Sequence, residues 1–400
     1  MLPAQRSQKV VIAAVLIIGV FGALPATAQW TNGQNAQYVV GQPDFDSYVQ
    51  NTTATGLNNP SGVAVDVVNN KLYIADTGNH RVLRYAYPLA GNQPAAELVL
   101  GQADFTSGSA NAGGSADTET FNGASSVYVD STGRLWVADS ENHRVLWFNA
   151  AHTLSSNKPD ADGVLGQADF TSASANRGGS TGQNSLNHPY DVHVDPSGNL
   201  WVADYDNNRV LRFDNAAAKA NGANADGVLG QADFTSAGAN RGGTVGQNTL
   251  DSPDGCAMCG TALFVADKDN HRVLRFDNAA SKADGANADG VLGQPDFASN
   301  TGDATQSLMY GPRYVVCDGA GRLYVSEYDN SRVIVFNNAV AKANGANADF
   351  LLGQTSWTAW QGSEGQNRLY NPNQVALDSD NGWLFVADTN NRRALQFNAS

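Results

Sequence analysis

Seven polar residues, in groups about sixty positions apart, are of the types that hold a ligand or move a proton: Tyr190, Asp191 and His193, then Asp254, then Arg313 and Tyr314, then Gln374. Asp191 and Asp254 could take a cation, and calcium is the ion their hard oxygens suit. An imidazole can act as a base, and a guanidinium with two phenols can clamp or stack on a ligand. Each group stands where sister segments carry bland residues, Ser61-Gly62 and Ser125-Ser126.

Other motifs have the letters of chemistry without its context. Gly178-Gly179-Ser180-Thr181-Gly182 spells G-x-S-x-G, but a nucleophile elbow needs a strand before it and a helix after it. Here it lies in a glycine-rich loop whose sister reads Gly242-Gly243-Thr244-Val245-Gly246. Cys256-Ala257-Met258-Cys259 is a C-x-x-C on a strand, whereas a redox-active pair needs a helix N-terminus to depress a thiol pKa. Cys317 falls on the corresponding strand of the next unit, so a disulfide to Cys259 or to Cys256 is one outcome and buried thiols are the other. Asp204 with Asp206 and Asp267 with Asp269 look like fragments of calcium loops, without the glycine and distal glutamate of an EF-hand. His80, His143 and His271 share one turn position that Asn208, Ser331 and Arg392 fill elsewhere. That turn stands off any common axis, so these histidines are read as structural.

The elements that position these residues are repeats. Six segments align, from Leu57, Phe121, Leu186, Leu250, Leu308 and Leu369, typified by LNHPYDVHVDPSGNLWVADYDNNRVLRF. A second element, of the type GVLGQADF, also occurs six times, from Val39 to the variant LLGQTSW at Leu351. Each unit holds four short runs rich in Val, Leu and aromatics, separated by Asn, Asp and Gly turns, and no run has a helical period. Four strands repeated six times predict an all-β, six-bladed β-propeller of antiparallel blades. The chain opens on a lone fourth strand (about 38–42) and closes on a blade with only three. The N-terminal strand is therefore expected to complete the C-terminal blade and close the ring.

An acid and an arginine five residues later recur in all six units, as in Asp76 and Arg81 or Glu327 and Arg332, and are read as a pin across a tight turn. The Asn between them, such as Asn79 or Asn207, is expected to take a left-handed conformation. The aromatic after GQ-x-D is read as a core plug. The long segments between units must lie outside the sheets, on the same face as the second-to-third turns.

Arg6, Lys9, the apolar run from Val10 to Leu24 and Ala26-Thr27-Ala28 read as a signal peptide over 1–28, with the propeller over 29–400. An uncleaved anchor is the alternative, but the run falls short of a membrane span of about 20 residues. The expected location is secreted, periplasmic or cell-surface. The whole chain carries a net charge of −14. Such an acidic surface repels phosphate backbones, so nucleic acid is not an expected partner.

The hairpin ADTGNHRVLR, preceded by PSGVAVD and LYI, resembles the NHL repeat, and the likeness runs through all six units over roughly 38–398. It departs from that family in its period of about 60, against 40–45 in compact propeller repeats. The resemblance implies an exported, monomeric, non-enzymatic binding or scaffold protein that takes a protein or glycan on its loop-bearing face, with no cofactor unless calcium. The axial residues named above would form the ligand site at its mouth, or else line a water-filled channel. The alternative the resemblance implies is a lyase or hydrolase dependent on calcium or zinc, with Asp191 and Asp254 as metal ligands. A single axial histidine, His193, argues against a multi-histidine zinc centre.

Overall fold

The computed structural model describes residues 30–398. Strand β1 (Tyr38–Val40) comes first. Blade 1 follows with β2 (Gly62–Asp66), β3 (Lys71–Asp76), β4 (Arg81–Ala86) and β5 (Leu98–Leu100). Blade 2 is β6 (Ala124–Val129), β7 (Leu135–Asp139), β8 (Arg144–Phe148) and β9 (Gly163–Leu165). Blade 3 is β10 (Pro189–Val194), β11 (Leu200–Asp204), β12 (Arg209–Phe213) and β13 (Gly227–Leu229). Blade 4 is β14 (Pro253–Cys259), β15 (Ala262–Asp267), β16 (Arg272–Phe276) and β17 (Gly290–Leu292). Blade 5 is β18 (Pro312–Cys317), β19 (Leu323–Glu327), β20 (Arg332–Phe336) and β21 (Phe350–Leu352). Blade 6 is β22 (Pro372–Asp378), β23 (Trp383–Asp388) and β24 (Arg393–Asn398), completed by β1.

The ring closes as the repeat order requires. Tyr38, Val39 and Val40 pair antiparallel with Gln396, Leu395 and Ala394. The closing strand ends at Val40, and Gly41-Gln42 already belong to the loop. The signal segment 1–28 lies outside the described residues, and no described helix is long and apolar enough to cross a membrane.

Apolar side chains alternate along each strand, so both faces of a blade are hydrophobic and each packs on a neighbouring blade. The molecule therefore has six cores rather than one. Val137, Phe148 and Phe121 join blades 1 and 2, and Trp201, Leu263 and Phe276 join blades 3 and 4. Burying each such side chain contributes roughly 1.5–3 kcal/mol. The innermost strands meet at the axis, where only a few members of these cores, such as Tyr314 and Ala376, reach.

Every blade is pinned by the same buried clamp. Arg81 meets Asp76 at 2.7 Å, Arg209 meets Asp204 at 2.7 Å and Arg332 meets Glu327 at 2.5 Å, all with no side-chain exposure. The second carboxylate oxygen accepts from the backbone that opens the repeat, as in Asn58 N–H to Asp76 (2.6 Å). The guanidinium also donates to the carbonyl of the GQ-x-D aromatic, as in Arg209 to Phe234 (2.6 Å). The glutamine of that motif reaches back to the turn and forward into the loop: Gln231 donates to the Asn208 and Gly238 carbonyls, both at 2.9 Å. These bonds order the long segments. The preceding glycine must be glycine, because at Gly101 (φ +90°) a Cβ would lie 2.3 Å from the Phe121 ring.

The left-handed residue of the turn is not the repeated Asn but the one after it, His80 (φ 51°) or Asn208 (φ 54°). The Asn instead donates its amide to the acid, as Asn79 does to Asp76 (2.8 Å). The turn histidines have a definite task. Nδ1 of His80, His143 and His271 accepts the N–H of Gly123, His188 and Gly311 in the next blade, at 3.0, 3.0 and 3.2 Å. Asn208 does the same for Ser252 through its amide oxygen (2.8 Å). They are inter-blade bonds, not metal ligands.

The outer edges are covered as well. The linker of each blade runs over the last strand of the preceding one: Asn221 Oδ1 accepts Val164 N–H (3.1 Å), and Gly222 N–H donates to the Val164 carbonyl (2.9 Å). Asn32 and Gly33 make the same pair of contacts on Leu351. The segment before β1 thus supplies the linker that blade 6 lacks.

Candidate functional site

Each inner strand meets the axis where its blade begins. In five of the six blades the pairing slips just after the first residue, as between Pro189 and Asp191 or Pro312 and Tyr314. This bulge lets two successive residues face inward before the alternation of a strand takes over. Three tiers result, and the seven residues named from the sequence are spread over all of them.

The upper tier, on the loop-bearing face, is Ser61, Ser125, Tyr190, Asp254, Arg313 and Asn373. On one half of the ring it is sealed. The residue after the repeated acid is a small hydroxyl there, and it bonds the next blade: Thr77 to the Ala124 carbonyl (2.6 Å), Ser140 to Pro189 (2.5 Å) and Thr389 to Pro60 (2.8 Å). On the other half that position holds Tyr205, Lys268 and Tyr328. Tyr205 stacks on Tyr190 with centroids 4.5 Å apart, and Lys268 Nζ donates to the Tyr205 oxygen (3.4 Å). Arg313 lies over the Tyr328 ring at 3.7 Å, and its Nε stands 3.5 Å from Asp254 Oδ2. Both of those atoms are buried without a hydrogen bond. Burial pushes the Asp254 carboxyl up to about 6 against the pull of Arg313, and it pushes Tyr190 up to about 12. Tyr205, Lys268 and Tyr328 were missed in the sequence. The signal was present: this position varies between blades while the acid beside it does not.

The middle tier closes the axis. Asp191 Oδ1 accepts from Ser126 (2.7 Å), its Oδ2 accepts the Cys256 N–H (2.8 Å), and Tyr314 bonds it from the opposite side. Gln374 Oε1 accepts the N–H groups of Val63 (2.9 Å) and Val127 (3.2 Å), while its amide donates to the Val127 carbonyl (2.8 Å) and to Tyr314. Gly62 and Gly255 make room, since a Cβ at either would press on Gln374 or Tyr314. Tyr314, Gln374 and Asp191 are all buried. They form a plug rather than an open channel at this level.

His193 sits below the plug with Tyr128, their rings 4.7 Å apart. Burial lowers its pKa to about 4, so it is neutral at working pH. Cys259 and Cys317 are joined across blades 4 and 5 at this lower level, and Cys256 is free and buried. Burial raises the Cys256 thiol well above its usual value, which makes it unreactive.

A calcium or zinc ion does not fit the acids proposed for it. Asp191 has both oxygens engaged by donors, and Asp254 faces a guanidinium. Among the described residues no group of three or more His, Cys, Asp or Glu converges as a metal cage.

Comparison with known proteins agrees with the fold. Residues 57–85, 121–148 and 186–213 match the sequence model of the NHL repeat. No curated protein matches the chain. Similar solved structures include a structural genomics protein of unknown function from Bacteroides thetaiotaomicron, with 11% identity and a TM-score of 0.53 over 91% of this chain and 74% of that one. An auxiliary nutrient binding protein from the same organism has 11% identity and a TM-score of 0.53 over 85% and 69%. A streptogramin B lyase has 10% identity and a TM-score of 0.47 over 88% and 95%. At such identities the likeness is of fold alone. With three blades matching the family's repeat and the same clamp in all six, this chain is an NHL-repeat protein, a six-bladed β-propeller.

Proposed function

We propose that the protein is an exported, non-catalytic binding module that takes a glycan or protein partner on its loop-bearing face. One observation carries this reading. Among the described residues the exposed aromatics are Tyr48, Tyr310, Trp360 and Tyr370, 41–56% exposed, and all four stand on loops leading into inner strands of that face. The large exposed aliphatics elsewhere, Val68 and Val340, are single residues on the other side of the blades. Exposed aromatic rings offer contact area at little entropic cost and are enriched where proteins bind. The half-ring of Tyr190, Tyr205, Tyr328, Lys268, Asp254 and Arg313 adds hydrogen-bonding groups at the centre of the same face.

The test is a screen of the purified chain against a glycan array and against peptides from surface proteins. A specific hit should weaken at least tenfold in Trp360→Ala/Tyr370→Ala and in Arg313→Ala, with melting temperature unchanged. Metal-dependent turnover of a screened substrate at the axis would instead favour the lyase or hydrolase reading.

A further inference from the structure

The plug divides the axis, and its lower side is a space that the loop face does not use. A cavity of about 210 Å³ starts at Tyr314 and Gln374 and is walled by Val63, Ala64, Val127, Val316, Ala376 and Leu377. Exposure rises along it, from Gln374 at 2% and Ala376 at 9% to half-buried Leu377 and exposed Ser379, so it opens on the face opposite the long loops. Tyr128, His193 and Cys317 also line a groove of about 620 Å³ between blades 2, 3 and 4. The smaller space is a funnel that shares these three residues with the groove.

The polar side chains of the funnel are few. His193 Nε2 accepts the Met258 N–H at 3.3 Å, which leaves the ring proton on Nδ1. Among the described residues neither that N–H nor the Tyr128 hydroxyl has a protein partner. The acids at the rim are already satisfied: Asp130 by Arg134 (3.2 Å) and Trp136 (3.0 Å), Asp195 by Asn199 (2.9 Å) and Trp201 (3.3 Å). A hollow walled largely by aliphatic side chains, with two unpaired donors and no free charge, has the chemistry of a small-molecule pocket. Apolar cavities smaller than this one accept a benzene ring.

We propose that the funnel is a second ligand site, separate from the loop face, that takes a compact uncharged molecule with an apolar body and a carbonyl or hydroxyl oxygen. The oxygen accepts from Tyr128 and His193, and the body fills the space beneath Tyr314 and Gln374. This assignment does not rest on the loop-face reading.

Acetophenone, an uncharged ring bearing one carbonyl, is the probe, and saturation-transfer NMR on the mature chain is the readout. Saturation transfer is expected with the native protein. His193→Ala and Tyr128→Phe should each weaken it about fivefold, as the loss of one hydrogen bond does. Ala376→Phe and Leu377→Trp, which fill the funnel at a buried and a half-exposed position, should abolish it, each checked for folding by its thermal transition. Val340→Ser, on the outer surface, should leave it unchanged. No transfer with the native protein, or transfer that persists in both filled variants, overturns the proposal. Benzoate binding as tightly as acetophenone overturns the assignment to an uncharged ligand.

Discussion

Asp191 lies with no exposed surface between a serine hydroxyl, a backbone N–H and a tyrosine. Burial raises its carboxyl from 3.8 to about 7. A raised folded-state pKa means that the proton binds the fold more tightly than the unfolded chain. Its contribution to stability is then complete below the unfolded value and lost as pH rises through about 7. Asp191→Asn should remove that loss: the difference in melting temperature between variant and native protein should grow from pH 6 to pH 8. A flat difference would show that the plug carries no titrating proton. The turn histidines have the opposite sign. Burial lowers the pKa of His80, His143 and His271, so their bonds contribute fully above 6.5 and are lost as pH falls below it. Asn208 makes the same bond without titrating. The triple variant His80→Asn/His143→Asn/His271→Asn should therefore match the native protein at pH 8 and melt higher at pH 5.

At the scale of the element, the unit of stability is the second-to-third hairpin with its clamp. An ion pair with no exposure has little net worth against a well-packed apolar pair, but breaking it strands a charge. Arg209→Ala leaves Asp204 buried with its main partner gone and should cost about 3–5 kcal/mol in urea unfolding. It should also free the two loops that Arg209 holds, one through Gly182 and Ser185 and the next through Phe234, seen as faster amide exchange over 170–186 and 230–240. The half-ring division at the mouth belongs to this scale too. Where the residue after the acid is Thr or Ser, it stitches two blades together. Where it is Tyr or Lys, its side chain is left to the mouth cluster. Tyr205→Ser should leave the fold intact and reduce binding on the loop face.

At the scale of the molecule, the ring is held shut by residues 30–40, which do two jobs. Thr31 to Gly33 cover the edge of blade 5, and Tyr38 to Val40 complete blade 6. Deleting 30–41 exposes β21 and β24 as open edges, which invite pairing with another chain. The truncated protein should show concentration-dependent light scattering and a lower, broader thermal transition. The native chain at the same concentration should show neither.

The blade pattern and the buried clamp were legible because each is written six times, and repetition separates what a blade needs from what one blade adds; the ring closure was legible from the unpaired strand at one end of the repeats and the three-stranded blade at the other. The axial positions of Tyr190, Asp191, His193, Asp254, Arg313, Tyr314 and Gln374 were legible for the same reason. Their height along the axis was not. A bulge at the head of the inner strand shifts which residue faces inward by one place, and that shift follows from strand pairing rather than from residue type. Only the tertiary structure therefore separated a polar mouth, a hydrogen-bonded plug and a lower funnel. It also paired Cys317 with Cys259 rather than Cys256, because successive residues of a strand point to opposite sides and only one of the two thiols faces blade 5. The sequence by itself determined the architecture through its repeats, while the site was decided by side chains from blades far apart in the chain that meet only when the ring closes.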